Sequence, residues 1–526
     1  IGLVTRQILD RALSHGMGGR PVSTIMQPEL PMVGAATPLE DLRDLFLERS
    51  YRFVIVEDAG RPAGIVTRME LFRRLFEEQH TAGASLDHRM AGARPVTQPI
   101  ARLLREVSPP WVQRLLEAAR EIADLQRVPV YMVGGMVRDL LLKRPNEDID
   151  LVVEGDGIAF AEALAERLDG RHHPHAPFLT AVVTLPDGLR VDVASARTEF
   201  YRTPAALPEV ATSLIRQDLY RRDFTINSLA VALSGDRHGD LVDFFGGRKD
   251  IQRQEIRVLH SLSFIDDPTR ALRAVRYARR LGFTIAPDTR NLITTALGEG
   301  VFDRLSGQRL RRELEFVLAE PHPTPALALI AELGLLPAIC PELEWTETVR
   351  SYLMEVEGQL AWYELEHIGP TPEPWVLFLG GLSLYSGAGA INSLVRRLQP
   401  GAGDRQKFLA LPEDTEIIKR AAEANHARSQ RVQLVEERST ESLLLAMADL
   451  PLAARRSIAD AAEAGARIQS PITGQQLIEA GIRPGPQIGR TIKLTRVALI
   501  DDVVTADDAL QWALETARCL DIEEGP

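Results

Sequence analysis

Val133-Gly134-Gly135-Met136-Val137-Arg138-Asp139 and, shortly after it, Glu147-Asp148-Ile149-Asp150-Leu151 decide how this chain is read. The apolar run Val130–Val133 reads as a strand, and the glycine pair that ends it leads into a helix. Glycines at such a junction let backbone approach a phosphate closely, where the free amides of a helix N-terminus favour negative charge. Asp148 and Asp150 stand two apart on a second predicted strand, so their carboxylates share one face and Ile149 turns to the core. Two carboxylates on one face suit divalent cations that bridge nucleotide phosphates. Taken singly, a D-x-D is usually a solvated strand end and Gly-Gly usually a turn. Their order and spacing make the pattern specific.

Two-metal phosphoryl transfer generally adds a third carboxylate. The alternating strand Arg190-Val191-Asp192-Val193-Ala194 offers Asp192, whose bland alternative is a strand-edge charge. Further on come Asp218-Leu219-Tyr220-Arg221-Arg222-Asp223 and Asp266-Asp267-Pro268-Thr269-Arg270-Ala271-Leu272-Arg273-Ala274-Val275-Arg276. Pro268 suits the first position of a helix, with Asp267 as its cap. Arg270, Arg273 and Arg276 recur every three residues. Such a ridge repels itself unless an anion lies against it, and a triphosphate is such an anion.

The glycine and D-x-D segments match the signature of the polymerase β-like nucleotidyltransferase superfamily. With the later blocks the chain resembles the class II CCA-adding enzyme and bacterial poly(A) polymerase family from about Val112 onward. Arg304-Leu305-Ser306-Gly307-Gln308-Arg309 and Gly481-Ile482-Arg483-Pro484-Gly485 add to the likeness. The resemblance implies that Asp148 and Asp150 hold Mg²⁺, two ions being expected, with Asp192 as third catalytic carboxylate. It also implies that Gly135, Arg138, Arg222, Arg273 and Arg276 bind the nucleotide, while Asp267 and Arg270 read its base in place of a template. The family's E-D-x-x-R is Asp266-Asp267-x-x-Arg270 here, a departure outside the two base-reading positions. ATP, with CTP as a further candidate, and tRNA are the implied substrates. The Asp148-Ile149-Asp150-Leu151-Val152-Val153-Glu154-Gly155 run leans toward enzymes that finish tRNA ends, including those adding only the terminal A. Poly(A) synthesis on general RNA and an inactive RNA-binding or nucleotide-sensing protein are the alternatives.

The expected fold class is α+β. A polymerase β-like head, a small mixed sheet with helices, precedes an all-α neck, body and tail and follows an α/β unit. That first unit rests on a repeat: Gly2-Leu3-Val4-Thr5-Arg6 recurs as Gly64-Ile65-Val66-Thr67-Arg68, around a helix at 39–48 and a strand at 53–57. It resembles a partial CBS domain pair, which implies an adenosine-nucleotide site using Thr and, three residues later, Asp. Here Thr67 is followed by Glu70 and Thr5 by Ile8, so the expectation is a structural or dimerising role, with homodimers forming through this unit. The first copy keeps only its last strand and helix, so the chain is expected to begin inside a domain. The expected divisions are residues 1–90 for this unit, 91–110 for a linker, 111–256 for the head, 257–340 for a neck that reads the base, and 341–526 for a body and tail that bind tRNA.

Composition sets the outer bounds. At 526 residues the chain needs several domains, and its formal charge of −12 excludes indiscriminate nucleic-acid binding without excluding a local basic groove. Two cysteines, Cys340 and Cys519, without C-x-x-C spacing, and no signal-peptide pattern point to the reducing cytoplasm. The uncharged stretch 374–395 holds too many Gly, Ser and Asn residues for a membrane span and reads as a buried helix and loop, so no membrane partner is expected. His172-His173-Pro174-His175 looks metal-like, yet its proline suggests a loop.

Overall fold

The computed structural model describes residues 19, 21–24, 26, 31–48, 53–67, 71, 96–200, 209–387, 389–424 and 426–523. The chain forms two compact units, Ile1–Leu305 and Ser306–Pro526.

The first unit is organised by an eight-stranded sheet. Its strands are β4 (Val96–Pro99), β5 (Val130–Val133), β6 (Ile149–Val153), β7 (Arg171–His175), β8 (Thr180–Thr184), β9 (Arg190–Ser195), β12 (Leu229–Ala232) and β13 (Asp240–Asp243). Their order is β4-β13-β12-β5-β6-β9-β8-β7, antiparallel throughout except for the parallel β6–β9 pair. A separate hairpin pairs β10 (Arg197–Phe200) with β11 (Glu209–Thr212). A parallel pair of β14 (Glu255–Ile256) and β15 (Thr284–Ile285) follows.

Parallel strands need a crossover, and the helix Gly157–Arg167 lies within it. Asp156 caps this helix by accepting from the Ile158 and Ala159 amides at 3.0 and 3.1 Å. Its first residue must be glycine: a Cβ on Gly157 would lie 2.5 Å from the Ser195 amide of β9. Phe160, Ala161 and Leu164 of the helix are buried with Ala181, Val183, Val191 and Val193 of the sheet. The helix Pro110–Gln126 buries Val112, Leu115, Leu116, Ala119, Ile122 and Ala123, the three-and-four spacing of one helical face.

Two segments differ from their sequence reading. Residues 96–107 were expected to be linker, but β4 pairs with β13 and the helix Ala101–Val107 follows it. Non-local pairing outweighs the local proline signal there. Pro174 marks not a loop but the edge strand β7, where a missing N–H costs no ladder bond.

Toward the N-terminus, β1 (Met32–Gly34) runs parallel to β2 (Phe53–Asp58), which pairs antiparallel with β3 (Arg61–Thr67). The helix Leu39–Glu48 joins the first two and buries Leu42 and Phe46, giving the expected α/β unit. The first repeat copy, with Thr5 and Ile8, and Glu70 lie outside the described residues.

The second unit is helical among the described residues, from Gly307–Leu318 to Ala509–Glu523. The uncharged helix Pro374–Leu384 is buried over nine residues from Trp375 to Ser383, as its sequence suggested. No helix of the described residues is long and apolar enough to cross a membrane. Cys340 is buried and Cys519 exposed, and neither forms a disulfide.

Candidate active site

The alternation of β6 and β9 places the carboxylates. Ile149, Val191 and Val193 are fully buried, so Asp150 and Asp192 take the opposite face, and the parallel register pairs them directly. Asp148 sits just ahead of β6, its amide donating to Asn146 Oδ1 at 2.8 Å. Ligand oxygens of Asp148, Asp150 and Asp192 all lie within 4.8 Å of one another. Burial, reinforced by the charges of Asp148, Asp192 and Asp218 and opposed by Arg222, pushes the Asp150 carboxyl up to about 6. Burial and Asp148 likewise raise Asp192, against Arg190 and His175. Carboxylates that resist ionising together are stabilised by a divalent cation among them, so the donor set fits such an ion.

Gly134 turns from β5 into the helix Gly135–Leu141 with φ +76°, a conformation that favours glycine. A Cβ there would lie 2.8 Å from Arg222 Nη1 and 3.4 Å from Asp150 Oδ2. Space is the second reason for glycine. Arg222 is anchored by Asp218, which is fully buried between Arg221 and Arg222. Burial opposes the Asp218 charge, but the two guanidiniums outweigh it and hold the carboxyl below its ordinary range.

A chain of hydrogen bonds ties the segments together. Arg138 donates to both Asp139 oxygens at 2.9 and 2.8 Å and to Asn227 Oδ1 at 2.6 Å. Asn146 donates to Asp139, and Asn227 donates to Asp223 at 3.0 Å. Arg273 closes the chain with a fork onto Asp223 Oδ2 at 2.9 and 2.6 Å. Burial would push Asp223 up, but Arg273, Asn227 and Arg270 hold it low. The three-residue spacing of the arginine ridge predicts an outside anion against it. Part of that anion is internal: Asp223.

The helix Thr269–Leu281 supplies the opposite wall. It begins one residue later than expected, and Asp267 Oδ1 accepts from the Thr269 amide at 3.1 Å and hydroxyl at 2.6 Å. Arg270 is buried, held by Ser263 Oγ and the Arg221 carbonyl, both at 2.8 Å. Tyr277 offers its ring to Arg138 and Arg273, 5.3 and 5.7 Å from the centroid.

A cavity of about 420 Å³ lies between these elements. Of the residues singled out from sequence, Gly135, Arg138, Asp148, Asp150, Arg222, Asp267, Arg270 and Arg273 line it. Asp192 and Arg276 do not. Asp192 is exposed on the neighbouring strand, paired with Asp150, and Arg276 is turned about 120° around the helix from Arg270 at 100° per residue. Sequence reasoning gave no role to Asn146, Asp223, Asn227, Tyr277 and Arg280, which also line the cavity. Alternating steps of three and four from Arg270 reach Arg273, Tyr277 and Arg280, a signal that a uniform step of three misses.

Comparison with known proteins follows this division of the chain. Residues 130–257 match the poly A polymerase head domain, and residues 282–346 match the probable RNA and SrmB-binding site of polymerase A. Residues 22–77 match the CBS domain. An A-adding tRNA nucleotidyltransferase of Halalkalibacterium halodurans is 32% identical over 422 residues, 76% of this chain and 92% of the relative. The chain belongs to the tRNA nucleotidyltransferase family. Another family member, the A-adding tRNA nucleotidyltransferase of Geobacter sulfurreducens, is 36% identical over 525 residues, 98% of this chain. The chain spans 60% of that relative's length. The Thermotoga maritima CCA-adding enzyme, solved in complex with tRNA, superposes with a TM-score of 0.67 at 30% identity, covering 81% of this chain and all of that one. The family's α+β architecture and CBS unit are therefore those expected from the sequence.

Proposed function

We propose that this chain transfers a nucleotide from ATP, or from CTP and ATP, to the 3′ end of tRNA. The observation that carries the reading is the carboxylate cluster of Asp148, Asp150 and Asp192 beside a cavity walled by arginines and closed by Asp267 and Arg270. The names of the two bacterial relatives favour addition of A alone.

Asp148 and Asp150, with Asp192 beside them, would hold two Mg²⁺ ions, which supply charge neutralisation and lower the pKa of an attacking hydroxyl. Arg222, Arg273 and Arg280 give the cavity the positive charge that a triphosphate needs, and Gly134 and Gly135 keep its floor free of side chains. The RNA 3′-oxygen attacks the α-phosphorus, the bond to the pyrophosphate oxygen breaks, and Asp192 orients the hydroxyl and takes its proton. Asp267 accepts from an exocyclic amino group while Arg270 donates to the adjacent ring nitrogen. On the Watson–Crick edge adenine and cytosine present that donor–acceptor pair and guanine and uracil do not. Arg138 acts through Asn227 and Asp223 to fix the wall, and Arg276 through the face of Tyr277.

The same reading locates the reaction in the cytoplasm. It also assigns self-association to the CBS-like unit, supported by exposed Met32 and Ile65; light scattering of the purified chain tests this. The reading as a whole is tested with tRNAs ending before C, after C and after CC, each supplied with single nucleotides. Addition of A to the CC end is expected, and a chain that extends none of them would overturn the reading.

A further inference from the structure

Among the described residues, the helix Gly157–Arg167 covers one side of the sheet beside the carboxylates, and side chains of the other side are exposed or half-buried. Along β9 the residues alternate between exposed and buried as far as Val193: Val191 and Val193 face the helix Gly157–Arg167, whereas Arg190 and Asp192 face solvent. β8 repeats the pattern, with Ala181 and Val183 buried and Thr180, Val182 and Thr184 half-buried. The register then carries one row outward from Asp192 through Val182 to His173 on β7, with His175 paired to Thr180 in the next row. Strands are spaced about 4.8 Å apart, so His173 lies about 10 Å from Asp192 along an open face.

That face carries an unusual set of groups. Arg171, His173 and His175 are exposed on the edge strand, and the two imidazoles meet edge to face with centroids 4.8 Å apart. The chain turns from β7 to β8 through Ala176–Phe178, where Phe178 is 59% exposed and its carbonyl is held by Arg197. Cations interleaved with accessible rings are the pattern that binds unpaired nucleic acid: guanidiniums hold phosphates, and any base can stack. Position gives the second argument. Asp148 and Asp150 line the nucleotide cavity and Asp192 does not, so the cluster has an inner side and an outer side. In-line displacement requires the attacking hydroxyl and the leaving pyrophosphate on opposite sides of the phosphorus. With the triphosphate inside, the hydroxyl must come from the outer side.

We propose that the open face of β9, β8 and β7 is the track for the unpaired 3′ end of the RNA. Arg171 and Arg190 hold its phosphates, and His173, His175 and Phe178 stack on its last bases. The track delivers the 3′-hydroxyl to Asp192. The inference rests on the nucleotidyl-transfer reading above.

The test combines His173→Ala, His175→Ala and Phe178→Ala in the full chain. These side chains are exposed, so the variant should melt with the parent. The KM for a CC-ending RNA should rise ten-fold or more while the KM for ATP stays within two-fold, a split that general damage would not produce. A 4-thiouridine placed at the penultimate RNA position should photo-crosslink to residues 171–190 of the parent. An active parent whose RNA KM is unmoved in the variant, or whose crosslinks map elsewhere, overturns the track and leaves the transferase reading standing. A parent that extends no RNA overturns both.

Discussion

Asp150 on β6 and Asp192 on β9 are direct register partners in a parallel pair, so carboxylates far apart in sequence stand side by side. The pairing is enforced by the other face of the sheet. A one-residue slip of β9 would turn Asp192 toward the buried helix Gly157–Arg167 and bring Val191 and Val193 out to solvent. The hydrophobic core thus fixes the spacing of the carboxylate cluster.

Gly134→Ala should disable the site without removing a charged group. The new methyl must enter a +76° backbone conformation and displace Arg222 from beside Asp150. A strain of about 1–3 kcal/mol and at least a ten-fold fall in kcat/KM for ATP are expected. Steady-state nucleotide incorporation measures the second effect, and parental kinetics would show that this close approach has no function.

Stability should carry a histidine-dependent acid limb. His260 is buried beside Tyr220, and burial, with the nearby Arg270 charge, lowers its pKa to about 3. The folded protein keeps the ring neutral while the unfolded chain protonates it near 6.5. This contribution is therefore complete above pH 6.5 and is lost progressively between 6.5 and about 3. Asp150, raised to about 6, works in the opposite direction below that pH, so a comparison of variants isolates the histidine. His260→Gln should gain about 1.4 kcal/mol per pH unit relative to the parent from pH 6 to 4 in urea unfolding. Parallel curves would exclude the buried neutral ring.

Base selection should depend on how Arg270 is held as well as on its presence. Arg270→Ala should reduce the kcat/KM preference for ATP over GTP and UTP at least ten-fold. Ser263→Ala, which removes the 2.8 Å bond to Arg270 Nη1, should produce a smaller loss in the same direction. Kinetics with the four nucleotides distinguish this from a general loss of rate, which would leave the ratios unchanged.

The parts of the site that follow local periodicity were legible in the sequence. The two-residue step of Asp148 and Asp150, the alternation around Asp192, and the head strands β5 and β6 needed only the strand period. Residues whose roles arise from bonds between distant segments were not. Asn227 matters because it joins Arg138 to Asp223, and Asp223 because Arg273 reaches it across the cavity. Arg276 was read with its neighbours because a step of three resembles a helical face over one turn. Over two turns it rotates away, and Tyr277 and Arg280 take that side. β4 and β7 were hidden for a related reason. Prolines punctuate both, and only pairing with β13 and β8 shows them to be strands.

The most direct test of the carboxylate cluster is incorporation of labelled ATP into a CC-ending tRNA by Asp150→Asn. The substitution keeps the shape and removes a charge that burial already disfavours, so the variant should melt no lower than the parent. The predicted result is at least about a thousand-fold loss of incorporation with Mg²⁺, as expected when charge stabilisation at the reacting phosphate is removed, while tRNA affinity stays within a few-fold. Incorporation near the parental rate would contradict the assignment of Asp148, Asp150 and Asp192 as the centre of the reaction.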